Sequence, residues 1–363
     1  MACLSCRNST SASQNVNGDT LRLEYARLLH VVRYPQYTTV TIDNPWRKGQ
    51  VLHRYVLVKR DEKQPEPLPK GTLVKVPVNK AVLFATPHCF LFGQIGCQDK
   101  VAGAADTQYI KVPWVKQGLA EGKIVDCGNG MDPLIEKIID LKPDLMFLSP
   151  FENSGGYGKV EEIDIPYFEC AEYMEGSALA RAEWMKVYGL LLGKEAEADS
   201  LFEVVVQNYR KWEAKARESK VRRSIITEKL TGSTWYVAGG KSSVGMLIAD
   251  ARGDYAFSND THAGSVALPF EAVLDKAGDA DVWIFNNNST SGRFTYDMLQ
   301  AEYRGYPQMK AFRQRNVWYV NTLTVPYFEE VSFRPDFLLR DYIILLHPDL
   351  QLDSLRYYKP LQE

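Results

Sequence analysis

The chain has 363 residues, 43 of them basic and 45 acidic, and its formal net charge of −2 leaves no global field to draw it to nucleic acid or an anionic bilayer. Apolar residues at 45% and charged residues at 24% are the proportions of a folded globular protein, and the length predicts two domains. No run of about 18 apolar residues marks a transmembrane helix, and the six cysteines include no pair of CxxC motifs, which argues against a structural zinc centre.

In MACLSCRNSTSASQNVNGDT a small residue precedes a cysteine at Ala2–Cys3 and again at Ser5–Cys6, and a Ser/Asn/Gly-rich stretch follows. This is the pattern left when a signal peptide is removed up to a lipid-modified cysteine. Residues 1–20 are therefore expected to be a disordered tether, lipidated at Cys3 or Cys6. Residues 21–75 read as an N-terminal β flap. YTTVTI and HRYVLVKR carry strand composition, NPWRKGQ is a turn cluster, and EKQPEPLPKG is a Pro-rich connection.

An α/β lobe is expected over 76–172. KAVLFA is a buried strand, TPHC a loop bearing His88, and FLFGQIG a short helix ending at Gly96. DKVAGAA and KIVDCG are further strands. Asp132 is placed as an N-cap with Pro133 at the first helical position. The helix after it turns Ile135, Ile138, Ile139 and Leu141 to the core and leaves Glu136, Lys137 and Asp140 in water. LMFLSP and IPYFEC complete a parallel sheet. Residues 173–219 predict a helical spine: SALARAEWMKVYGLLLG, capped by Ser177, and a second helix from about Glu195 to Ser219. A second α/β lobe follows over 220–363, with STWYVAGG and NVWYVNT as strands, KSSVGMLIADARG as a helix, and FRPDFLLRDYIILLHP as a terminal helix packing back on the body. The fold class is thus α/β: two parallel-sheet lobes, each with its own core, joined by a long spine helix with little hinge motion, plus the flap.

One internal similarity supports two related lobes. LIEKIIDLKPDLMFL and PFEAVLDKAGDADVWIF share a layout that aligns Glu136 with Glu271 and Asp144 with Asp279, an offset of 271 − 136 = 135 residues. Ligands of open parallel sheets sit outside the carboxyl ends of the strands. The loops FENSGGYGK and NNNSTSGRF, which follow the matched strands, should therefore face a cleft between the lobes. Candidate ligand residues are His88 and His262 as axial donors to a bound metal centre, Tyr157 as a phenolate or stacking surface, and Lys241, Arg293 and Arg304 as contacts to anionic groups. Trp235 and Phe294 read as core. The aromatic content, with 20 Tyr and 7 Trp, fits either a packed core or a ring-lined cleft.

The strand order, the single spine region, the repeated Glu-helix-strand unit and the ending NVWYVNT…FRPDFLLRDYIILLHPDL together resemble the ABC-importer substrate-binding proteins for metal chelates, over roughly residues 75–350. The resemblance implies capture of a ferric siderophore or haem, with cobalamin or another corrinoid as the alternative cargo. It also implies a periplasmic or other extracytoplasmic location and delivery to an inner-membrane permease with its ATPase. No catalysis, intrinsic cofactor or protein-held metal is implied, and a monomer is expected. In that family one glutamate per lobe docks on permease arginines; by position these are Glu136 and Glu271. The flap departs from compact members. An enzymatic reading finds no GxxxxGK[ST] loop, GxSxG elbow, HExxH motif or dense cysteine cluster to support it.

Overall fold

Four consecutive apolar residues, Leu145–Leu148, form a strand buried along its whole length, as the centre of a parallel sheet covered on both faces requires. In the computed structural model, which describes residues 18–152, 157–290 and 292–363, this strand pairs in parallel with Ala81–Leu83 on one side and Tyr167–Glu169 on the other. Val101–Ala104 and Val125–Asp126 extend the sheet to five strands, all parallel. The helices Thr86–Gln94, Pro113–Ala120 and Ile135–Leu141 make its crossovers.

The second half repeats the plan on a smaller scale. Ile225–Thr227, Val282–Asn287 and Val317–Asn321 are parallel, and Lys359–Pro360 closes one edge antiparallel. Thr234–Ala238, from STWYVAGG, is not in this sheet; it pairs antiparallel with Leu230–Thr231 and Ser265–Leu268 in a separate three-stranded layer. The flap is a five-stranded sheet between Asp19 and Val76, antiparallel except for its last pair, Val51–Lys59 with Thr72–Val76.

Between the halves lie Ala178–Glu183, Met185–Leu192 and the 24-residue helix Glu195–Glu218. Ser177 caps the first as expected, its hydroxyl accepting from the Ala180 N–H at 3.2 Å. Gly193 takes φ 69°, a left-handed turn that lets the chain reverse into the long helix. Two buried carboxylates at the start of the spine hold the flap. Glu183 accepts from the backbone N–H groups of Glu24, Tyr25 and Ala26 at 2.9, 2.7 and 2.8 Å. Glu175 does the same for Arg27 and Leu28.

The expectation of separately cored halves is corrected. One contiguous cluster runs from Val31 in the flap through Phe147 and Tyr188 to Trp283 and Leu346, with only a small satellite around Val82, Ile138 and Met146. The physical reason is the spine: Tyr188 packs against Phe147 and Phe168 of the first sheet and against Phe333 on the other side, while Ala178–Glu183 and Glu195–Glu218 pack on the terminal helix Pro335–Leu346.

Three local expectations also change. Asp132–Pro133 does not start a helix; it pairs with Gly128–Asn129 in a small hairpin, and the helix begins at Ile135 behind an N-cap at Leu134. Ile139 stays 46% exposed instead of joining the core. TPHC is not a loop, since Pro87 pre-forms the first turn of Thr86–Gln94 and carries His88 into the interior. The repeat is real, with a shifted partner. Asp144 accepts from the Asn79 and Lys80 N–H groups just before the neighbouring strand, at 2.8 and 3.1 Å. Asp281, not Asp279, plays this part in the second half, accepting from the Ser224 N–H and hydroxyl at 2.9 and 3.0 Å. The two extra residues of KAGDAD account for the shift. No helix among the described residues is long and apolar enough to cross a membrane.

Candidate ligand cleft between the lobes

Both parallel sheets end at a shared cavity of about 600 Å³. From the first half it receives Phe84, Asp106 and Ser149, each just beyond the carboxyl end of a strand. Glu228 and Asn286 come from the equivalent ends in the second half, and Glu172, Tyr173 and Arg181 form a third wall at the start of the spine. This is where the topology of open α/β sheets places ligands, and the volume lies within the usual range for small-molecule sites. Tyr109 on one half and Phe328 on the other line the cavity while remaining 55% and 52% exposed, so a ring from each side is available for stacking.

Among the described residues four charged side chains line this space: Arg181, Asp106, Glu172 and Glu228. Asp106 is held in a left-handed conformation, φ 53°, and accepts from the Gly130 N–H at 3.2 Å. Glu228, also left-handed at φ 64°, accepts from the Asn286 amide at 3.2 Å, and burial pushes its carboxyl up to about 6. Burial opposes ionisation of Glu172 too. The facing His88 and the Arg181 charge outweigh it, so the carboxyl ends below its ordinary value. Burial draws the Arg181 guanidinium downward, with Glu172 and then Tyr327 pulling the other way. The Arg181 Nε is buried without a hydrogen-bond partner among the described residues.

The six residues expected at the ligand do not line this cavity. His88 is fully buried behind its wall, with Nε2 2.9 Å from Glu172 and 3.1 Å from the Tyr188 hydroxyl. Its Nε2 is therefore spent on a network that ties the first lobe to the spine, while Nδ1 is buried with no hydrogen-bond partner among the described residues. Tyr157 donates to Glu169 and borders a separate groove of about 290 Å³ on the first lobe. Lys241 and His262 are exposed and meet through one backbone hydrogen bond, Lys241 N–H to the His262 carbonyl at 3.2 Å; the His262 ring pairs with Asp260 at 2.8 Å. Arg293 donates to Gln362 at 2.8 Å, and Arg304 is exposed. Trp235 and Phe294 are core, as expected. Cys3 and Cys6 lie outside the described residues; the other four cysteines are buried free thiols.

Sequence reading missed Arg181. In SALARAEWMK nothing set it apart from the neighbouring charges Glu183 and Lys186. His88, Cys170 and Glu172 also bring one ligand-type atom each within 4.8 Å of one another. In this arrangement Nε2 of His88 and both oxygens of Glu172 are already hydrogen-bonded, and burial holds the Cys170 thiol well above its usual range. The chemistry of the trio is that of a packed polar network.

Glu136 and Glu271 are both exposed, each in the first turn of its helix and neither on the cavity. Residues 91–322 match the model of the periplasmic binding protein family. The chain belongs to that family. The likeness read from the repeated segments is thereby borne out at the level of the family, and the flap precedes the matched region. An uncharacterized lipoprotein of Methanocaldococcus jannaschii is 25% identical over 353 residues, which cover 90% of this chain and 82% of that protein. Among solved structures, a periplasmic haem-binding protein from Pseudomonas aeruginosa matches with TM-score 0.62 at 16% identity, over 79% of this chain and 99% of its own. A periplasmic haem-binding protein from Roseiflexus sp. RS-1, in apo form, gives TM-score 0.59 at 17% identity, over 76% and 100%. At these identities the likeness carries the fold, a two-lobed binding-protein frame spanned by a long helix. It matches those chains almost in full and leaves part of this one without a counterpart.

Proposed function

We propose that this periplasmic binding protein captures a metal chelate in the cavity between its lobes, outside the cytoplasm, and hands it to an ABC permease and its ATPase. The cargo classes are ferric siderophore or haem, with a corrinoid as the alternative. A lipid on Cys3 or Cys6 would tether a monomer to the membrane face. The observation that carries this reading is the cavity itself: one space bounded by the carboxyl ends of both parallel sheets and by the spine, with aromatic faces from each half. No catalytic step is assigned.

Glu136 and Glu271 are proposed as the permease contacts. A carboxylate in the first turn of a helix is favoured by the helix dipole. Two such acids, one per lobe, fix orientation as well as position, and they register the separation of the lobes. Rim charges of this kind act mainly on association rate and are screened by salt. In proteoliposomes carrying the cognate transporter, Glu136→Ala with Glu271→Ala should leave chelate affinity intact, measured by tryptophan quenching, and lower uptake at least tenfold. Unchanged uptake, or lost chelate affinity in the double variant, would reject the docking assignment. Absence of binding to haem, corrinoid and ferric siderophores would reject the cargo class.

A further inference from the structure

Resting on that reading, we infer that Arg181 anchors one compact anionic oxygen group of the cargo, a phosphate or a carboxylate. The carboxylates around it would then select for chelates that are neutral or cationic overall and rich in N–H or O–H donors. Two independent observations carry this. The first is Arg181 itself. Its guanidinium reaches the cavity from the helix Ala178–Glu183, and its Nε is buried with no hydrogen-bond partner among the described residues. Its nearest acid by electrostatic influence is Glu172, whose two oxygens are already taken by His88 and Tyr188 at 2.9 Å each. A guanidinium presents a planar fork of donors, and the terminal nitrogens of this half-buried one carry no hydrogen bond among the described residues. An acceptor entering the cavity pairs with that end of the fork, best as a bidentate oxyanion.

The second observation is the charge of everything else facing that space. Besides Arg181 the charged lining among the described residues consists of Asp106, Glu172 and Glu228, all carboxylates. Carboxylates accept hydrogen bonds and repel anions, increasingly so in an enclosed, poorly solvated site. A polyanionic complex would satisfy Arg181 once and oppose Asp106 and Glu228 with its remaining charge. A chelate rimmed by primary amides or ammonium groups, with a single phosphate or carboxylate, would satisfy both sets. Within the cargo classes named above, the site therefore disfavours ferric tris-catecholates and ranks amide-rimmed corrinoids above haem.

The test is a calorimetric or fluorescence titration of the full chain with four probes: a corrinoid carrying its phosphodiester, the same corrinoid lacking it, haem, and a ferric tris-catecholate. The phosphodiester corrinoid should bind at least about tenfold more tightly than the tris-catecholate. Arg181→Ala should weaken cargo binding roughly 10- to 100-fold, the range for a hydrogen bond to a charged group, and Arg181→Lys should restore only part of it. Removing the phosphate from the corrinoid, or esterifying the haem carboxylates, should reproduce that loss for whichever group is the anchor. Asp106→Asn with Glu228→Gln should raise affinity for the tris-catecholate, an arm that stands even if Arg181→Ala fails to fold. Tighter binding of the tris-catecholate by the unaltered protein would overturn the inference, as would affinity indifferent to Arg181 and to both anionic groups. If no probe binds at all, the proposed function itself fails, which is a separate result.

Discussion

Glu169 illustrates how a single carboxyl records its surroundings. It is almost fully buried, Tyr157 donates to it, and its own N–H donates to the Tyr55 hydroxyl at 2.9 Å. Burial lifts its titration to about 7, against the Tyr157 hydrogen bond, which lowers it. A carboxyl raised in this way binds its proton more tightly in the folded than in the unfolded chain. Stability from this group is therefore greatest at acid pH and falls as pH rises from the ordinary carboxylate range to about 7. Denaturation by urea at pH 5 and pH 8 should show Glu169→Gln removing as much as about 3 kcal/mol of that pH dependence. A Gln variant with the same pH slope as the parent would mean that Glu169 titrates normally.

At the scale of elements, the strongest local signals were the ones that need no distant partner. The uninterrupted Leu145–Leu148 run, the Ser177 cap and the amphipathic Glu195–Glu218 stretch all formed where their residues indicated. What failed depended on contacts remote in sequence or on unrecognised turn chemistry. Asp132–Pro133 carries a helix-start signature, yet pairing with Gly128–Asn129 recruits it into a hairpin. His88 follows a strand, as a cleft residue would, but Pro87 turns it inward toward Glu172, 84 positions away. Arg181 was invisible as a ligand residue because its role depends on which strand ends surround it. The flap is secured in the same non-local way, through Glu183 and Glu175. Glu183→Gln keeps the size but loses the charge that binds three backbone N–H groups and sits 3.2 Å from Lys186. We expect it to destabilise the protein by about 3 kcal/mol, by analogy with broken buried charge networks. Limited proteolysis should cut first between Glu24 and Leu28. Cleavage elsewhere first, with unchanged stability, would show that the flap is held by its apolar contacts instead.

For the molecule as a whole, the paired glutamates and the facing sheets were legible because the repeat is written in the sequence. The joined core was not, since composition cannot say that Tyr188 meets Phe147 on one side and Phe333 on the other. That shared core has a mechanical consequence. A spine buried against both halves bends less than crossing strands would, so lobe closure on cargo binding should be of small amplitude. Small-angle scattering with and without bound chelate should therefore give radii of gyration within about 1 Å, where a freely hinged pair of domains would contract by more. A larger contraction would show that the halves move independently despite their common core.

The central claim is that the cavity between the sheets is where the metal chelate sits. Anomalous diffraction at the absorption edge of the chelate's metal, from crystals grown with saturating cargo, tests it most directly. One strong peak is expected between Tyr109 and Phe328, with an oxygen-bearing group of the chelate turned toward Arg181. A peak in the first-lobe groove beside Tyr157, at the His262 loop, or on the outer surface near either glutamate would contradict it.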